Sequence, residues 1–105
     1  MRFIETPVFT KRVKDLLSDE DYRTLQVALL LRPEQGPLLK GSGGLRKVRW
    51  APKAVGKRGA IRVIYYWKPD EQVFYMLFAY TKTAQEDLTA DQLRALARIV
   101  RKEFK

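Results

Sequence analysis

Nine basic residues, Lys40, Arg46, Lys47, Arg49, Lys53, Lys57, Arg58, Arg62 and Lys68, fall between Gln35 and Pro69, a stretch without a single Asp or Glu. The chain has 21 Lys and Arg against 12 Asp and Glu, a net charge of +9, so this stretch carries the whole excess. A field of one sign concentrated in a third of the chain points to a polyanionic partner. Anionic lipid fits less well, because the stretch contains no basic amphipathic helix. The chain has no histidine and no cysteine. That removes the commonest general base, the commonest transition-metal ligands and any disulfide framework. Chemistry must therefore rest on Lys, Arg, Tyr or carboxylates. Cleavage of RNA needs no more than these. A 2′-hydroxyl attacks the adjacent phosphorus, and the protein removes its proton, neutralises the added negative charge and protonates the leaving 5′-oxygen. Arg suits the charge clamp, and Lys suits proton transfer where neighbouring cations lower its pKa.

The elements that must position these residues are legible from capping signals and periodicity. A length of 105 residues fits one domain spanning the chain. Arg2–Glu5 reads as a short strand. Thr6-Pro7 starts a helix, with Thr6 as N-cap and Phe9, Val13, Leu16 and Leu17 at helical spacing. Ser18-x-x-Asp21 caps a second helix with Tyr22, Leu25, Ala28 and Leu29 as its buried stripe, ended by Pro33, Gly36 and Pro37. The two form a helical hairpin. After Gly41-Ser42-Gly43-Gly44 the period changes to two. Leu45–Trp50, Ile61–Trp67 and Val73–Tyr80 read as strands, the last two joined by the turn Pro69-Asp70-Glu71-Gln72. Thr89–Gln92 is a capping box before a final amphipathic helix with Leu93, Leu96, Ala97, Val100 and Phe104. The expectation is an α+β fold in the order β-α-α-β-β-β-α, with an antiparallel sheet and helices covering one face.

Alternation then says which basic residues can converge. Lys47 and Arg49 share one face of their strand, and Arg62, Ile64 and Tyr66 share one face of the next. Tyr80 and Lys82 point the same way if the following strand runs that far. Neighbouring strands lie about 4.8 Å apart, so matching registers bring Lys47 or Arg49, Arg62 and Lys82 around one phosphate. Arg46, Lys53, Lys57 and Arg58 read as phosphate contacts without chemistry, and Tyr66 and Tyr80 as residues that either stack a base or pack. Trp50, Trp67 and Phe74 read as packing residues, and Glu86-Asp87 as acids favouring the start of the last helix, with use as a general base the lesser alternative. The glycines around Ser42 lack the Gly-Lys-Ser/Thr ending of a phosphate loop and lead into a strand, which excludes that motif. No segment has the apolar length of a membrane span or signal peptide, and the expectation is a soluble, cytoplasmic chain with no membrane partner.

The runs Gly43-Gly44-Leu45-Arg46-Lys47-Val48-Arg49-Trp50 and Gly56-Lys57-Arg58-Gly59-Ala60-Ile61-Arg62-Val63-Ile64-Tyr65-Tyr66 resemble the HigB branch of the RelE/ParE toxin superfamily. So does Tyr80-Thr81-Lys82-Thr83 followed by Glu86-Asp87-Leu88. The resemblance implies a RelE-like fold and the toxin of a type II toxin–antitoxin system. It implies a ribosome-dependent endoribonuclease that cleaves mRNA in the A site and inhibits translation without metal or cofactor. Its partners would be the ribosome, mRNA and a cognate helix-turn-helix antitoxin, whose complex with the toxin binds operator DNA. The family's basic active-site positions carry over onto Lys47, Arg49, Arg62 and Lys82. The tyrosine that some relatives place after the last strand is replaced here by Asp87 and Leu88, so either Tyr66 or Tyr80 substitutes for it or no tyrosine is needed. Two other readings stand beside it: a non-nuclease inhibitor of DNA gyrase, as in the ParE branch, and a non-catalytic RNA-binding module.

Overall fold

The computed structural model describes residues 1–51 and 60–104, excluding the side chain of residue 104. Lys53, Lys57 and Arg58 lie outside the described residues. Seven elements follow the expected order: β1 (Arg2–Glu5), α1 (Pro7–Leu16), α2 (Asp19–Leu31), β2 (Arg46–Trp50), β3 (Ile61–Lys68), β4 (Val73–Thr81) and α3 (Ala90–Phe104). The strands form one sheet in the order β1-β4-β3-β2.

The helix signals act as expected. Thr6 caps α1 by accepting from Phe9 N at 3.0 Å, and Ser18 caps α2 by accepting from Asp21 N at 3.0 Å. Asp19, Glu20 and Asp21 fill the first turn of α2, where they face the positive end of the helix dipole. The box before α3 is reciprocal. Gln92 N donates to Thr89 Oγ1 and Thr89 N to Gln92 Oε1, both at 3.0 Å. Leu17 and Ser18 join α1 to α2 without a longer loop, and the rings of Phe9 and Tyr22 meet at 5.8 Å between them.

Two features differ from expectation. β2, β3 and β4 are mutually antiparallel, but β1 joins β4 in parallel, with Phe3 opposite Phe74. The sheet is therefore mixed: β1 and β4 are separated in sequence by both helices of the hairpin, β2 and β3, so no tight turn constrains them to run antiparallel. The helices also cover both faces. On one, Phe9, Val13, Leu17, Leu25 and Leu29 of the hairpin pack on Val48, Val63, Tyr65, Phe74, Met76 and Ala79. On the other, Leu96 and Val100 of α3 pack on Ile64, Leu77, Phe78 and Tyr80. A two-sided sheet explains why β3 and β4 read as long apolar runs rather than clean alternations.

The β3–β4 register shifts between Ile64 and Tyr65, which pair with Phe78 and Met76 respectively, so Leu77 is an extra residue in β4. Such a bulge inverts the phase of the strand that carries it. Phe74 and Met76 face the hairpin, whereas Phe78 and Tyr80 face α3. Thr6 holds this irregularity. Its hydroxyl donates to Leu77 O at 2.8 Å while its N–H donates to Met76 O at 3.0 Å. Thr6→Ala removes both a cap and the partner of a bulge carbonyl, and should destabilise the fold by about 1–2 kcal/mol. Urea unfolding should show a lower midpoint at an unchanged m-value.

Candidate functional site

The registers bring the sheet's cations together. Arg49 stands opposite Arg62 and Lys47 opposite Ile64 across β2–β3, and Arg62 stands opposite Tyr80 across β3–β4. Directly paired residues project from the same face with Cβ atoms about 4.5–5.5 Å apart. Lys47, Arg49, Arg62 and Tyr80 thus share the α3 side of the sheet, at the end where β2 and β4 finish and β3 begins.

Arg62 is the unusual member. Its residue is only 8% exposed. Its guanidinium donates to Ala60 O at 2.7 Å and makes no ion pair with a carboxylate among the described residues. Residues 52–59 contain no acid either. A permanent charge rarely survives burial without a counter-charge, and its cross-strand neighbour Arg49 adds a like charge. Arg49 is exposed and makes no hydrogen bond with a described residue. Among the described residues, the two arginines stand side by side with most of their donors uncommitted, an arrangement suited to a bidentate anion.

Across from them Asp87 gathers the remaining polar groups. Its Oδ1 accepts from Leu88 N at 2.8 Å, from Tyr80 OH at 3.1 Å and from Lys47 Nζ at 3.3 Å. The Leu88 N–H chiefly holds the Asp87 carboxyl below the usual carboxylate value, with Lys47 and Tyr80 adding and partial burial opposing. Burial first, then the hydrogen bond to and charge of Asp87, push the Tyr80 phenol up to about 12, against a smaller opposing pull from Arg62. Near neutrality Asp87 is charged and Tyr80 keeps its proton.

The other expected site residues fall elsewhere. Lys82 is not on the strand face. β4 ends at Thr81, and Lys82 lies exposed in the turn closed by Ala84 N and Gln85 N on Thr81 O. Arg46 projects from the opposite face to Lys47 and donates to Gly36 O at 2.9 Å and Glu34 O at 3.2 Å, with Glu34 as its ion-pair partner. Its work is to tie β2 to the preceding loop. Tyr66 is half-buried in the α3-side core with its ring against Gly44, where an added Cβ would come within 2.8 Å of the ring. Tyr80 is buried and offers no open face to a base.

Asp87 stands where some relatives of the resembled family place a tyrosine, but its contacts with Lys47 and Tyr80 were not readable from the sequence. Seven positions separate it from Tyr80 and forty from Lys47, and the chain from Lys82 to Asp87 is neither helix nor strand, so no periodicity links them. The only local signal is its place just before the Thr89 cap. Among the described residues, no cluster of three or more His, Cys, Asp or Glu could hold a metal ion. No described helix is long and apolar enough to cross a membrane.

A mixed four-stranded sheet flanked by a helical hairpin and a C-terminal helix, with a cationic cluster at the exposed end of one face, defines a RelE-like α+β fold. The E. coli toxin RelE, solved in the free state as a double arginine-to-alanine mutant, superposes with a TM-score of 0.60, over 97% of this chain and 96% of that one. The two sequences are 15% identical, so the likeness is one of fold. No protein-family model matches the sequence.

The coupling between Asp87 and Tyr80 can be checked directly. Two of the causes raising Tyr80 come from Asp87, so Asp87→Asn should lower the pH at which the Tyr80 Cζ resonance titrates. The linked stability has a fixed sign. Tyr80 holds its proton more tightly folded than unfolded, so its contribution is complete below its ordinary value of 10.0 and is lost as pH rises towards about 12.

Proposed function

We propose that this chain is the toxin of a HigB/RelE-type toxin–antitoxin pair, an endoribonuclease that cuts messenger RNA on the ribosome. The observation that carries the reading is Arg62: buried, permanently charged, beside Arg49, and without a carboxylate partner among the described residues. A phosphodiester in the act of cleavage supplies the missing counter-charge. The RelE-like fold and the resemblance of the Gly43–Trp50 and Gly56–Tyr66 runs support the same assignment.

The chemistry follows from the placement. The 2′-oxygen bonds to phosphorus, the bond from phosphorus to the 5′-oxygen breaks, and a cyclic phosphate and a free 5′-hydroxyl result. Arg62 and Arg49 neutralise the charge that builds on the phosphorus oxygens, which is the largest contribution such a site can make. Proton transfer falls to Lys47 and, from the rim, Lys82. Asp87 is too acidic to take the 2′-proton efficiently near neutrality, and Tyr80 holds its own proton too firmly. A site with no histidine and no metal is slow unless its substrate is held in line, and a messenger fixed in the ribosomal A site meets that need. In the cell the cationic face would be covered by an antitoxin, expected to be a helix-turn-helix protein through which the pair binds operator DNA.

Brief induction followed by mapping of messenger 5′ ends tests the reading. The wild-type chain should produce new ends within codons. Arg62→Ala should reduce them by about a hundredfold, and Arg62→Lys, which keeps the charge but loses the fork, should recover only part. Intact messengers with damaged DNA would instead place the chain with gyrase inhibitors. Salt-sensitive RNA binding without new ends would leave a binding module.

A further inference from the structure

The contact between Asp87 and Lys47 places an anion where the proposed reaction needs one. Lys47 is the cation nearest to carrying a proton in that reaction, yet its ammonium is engaged by a carboxylate of the same chain. One oxygen, Asp87 Oδ1, receives donors from Lys47, Tyr80 and Leu88, the number and kind that a non-bridging phosphate oxygen would accept. The segment that carries it is fixed at both ends. Ala84 N and Gln85 N bond Thr81 O on one side, and the Thr89–Gln92 box closes the other. The carboxylate is therefore held in place by its own backbone, while its side chain remains 65% exposed. Exposed ion pairs are weak and readily exchanged.

We propose that Asp87 is a built-in stand-in for the RNA phosphate, competing with it for Lys47. It rests on reading this face as an RNA site. An RNA phosphate reaching Arg62 and Arg49 must take Lys47 from Asp87, and that exchange costs affinity. RNA diffusing in solution binds weakly for that reason, whereas RNA already held in position bears only the cost of the exchange. Asp87 is thus a specificity determinant that penalises unpresented RNA.

The test uses a short single-stranded RNA with 2′-O-methyl groups, which cannot be cut, and measures binding by anisotropy across a salt series. Asp87→Asn keeps an acceptor for Leu88 N and Tyr80 OH, and thermal melting confirms the variant folded. It should bind the RNA about fivefold more tightly than wild type. Its salt slope should steepen by about 0.7, one further phosphate contact on a single strand. In a Lys47→Ala background the gain should vanish. Glu86→Gln, which removes the adjacent charge but not the Lys47 ion pair, should change binding much less. Unchanged or weaker binding by folded Asp87→Asn overturns the proposal, as does a gain that persists without Lys47 or is matched by Glu86→Gln. The underlying reading fails separately. If Arg62→Lys and Arg49→Ala leave RNA binding as in wild type, the face does not bind RNA. If they weaken it while Asp87→Asn gives no gain, only the competition is lost.

Discussion

One extra residue in β4 decides which side chains reach the site. Without the bulge at Leu77, Phe74, Met76, Phe78 and Tyr80 would all face the same way, and Tyr80 would lie under the α1–α2 hairpin. The bulge turns Phe78 and Tyr80 towards α3 and sets Tyr80 beside Arg62. A bulge leaves a carbonyl outside the ladder, and the hydroxyl of Thr6 takes it. The residue that starts α1 therefore also stabilises the irregularity in β4, so the N-terminal elements bear on a site they never touch.

The opposite edge of the sheet shows a similar economy. Among the described residues no full strand lies beyond β2, but Lys47 N donates to Pro37 O at 3.1 Å, and Leu39 N to Leu45 O at 2.8 Å. Tyr65 clamps the same loop from beneath, donating to Pro33 O at 2.7 Å and accepting from Gly36 N at 3.1 Å. Gly36 allows this approach because a Cβ there would lie 2.9 Å from Lys47 O. Arg46 adds a further tie from its side chain. The backbone that presents Lys47 and Arg49 is thus secured on its outer side, and an edge that could recruit another strand is partly covered.

Much of the fold was readable because its signals are local. Thr6-Pro7, Ser18-x-x-Asp21 and Thr89–Gln92 specify helix starts through side chains that reach only three residues along the chain. The period of two in β2 put Lys47 and Arg49 on one face correctly. What could not be read was relative placement. The parallel pairing of β1 with β4 and the bulge arise from packing across the whole chain. The convergence of Arg62 with Arg49 needed a register that alternation alone cannot supply. Lys82 was expected to extend β4 onto the shared face, but the turn begins one residue too early. Asp87 looked like a cap-proximal acid, and its engagement with Lys47 is visible only once β2 and the segment before α3 are side by side. Arg46 and Lys68, counted with one cationic field, are partly satisfied by Glu34 and Asp70 from outside it.

The face-by-face division of β2 has a consequence for how such a chain can drift in sequence. Val48 is buried under the hairpin between Lys47 and Arg49, which face the other way. Inserting or deleting one residue between Lys47 and Arg49 would put the two cations on opposite faces, one of them turned towards the core. Replacing a side chain in place leaves the phase intact. Within this strand evolution has latitude over residue identity but almost none over length, so variation in length belongs in the connections that flank it.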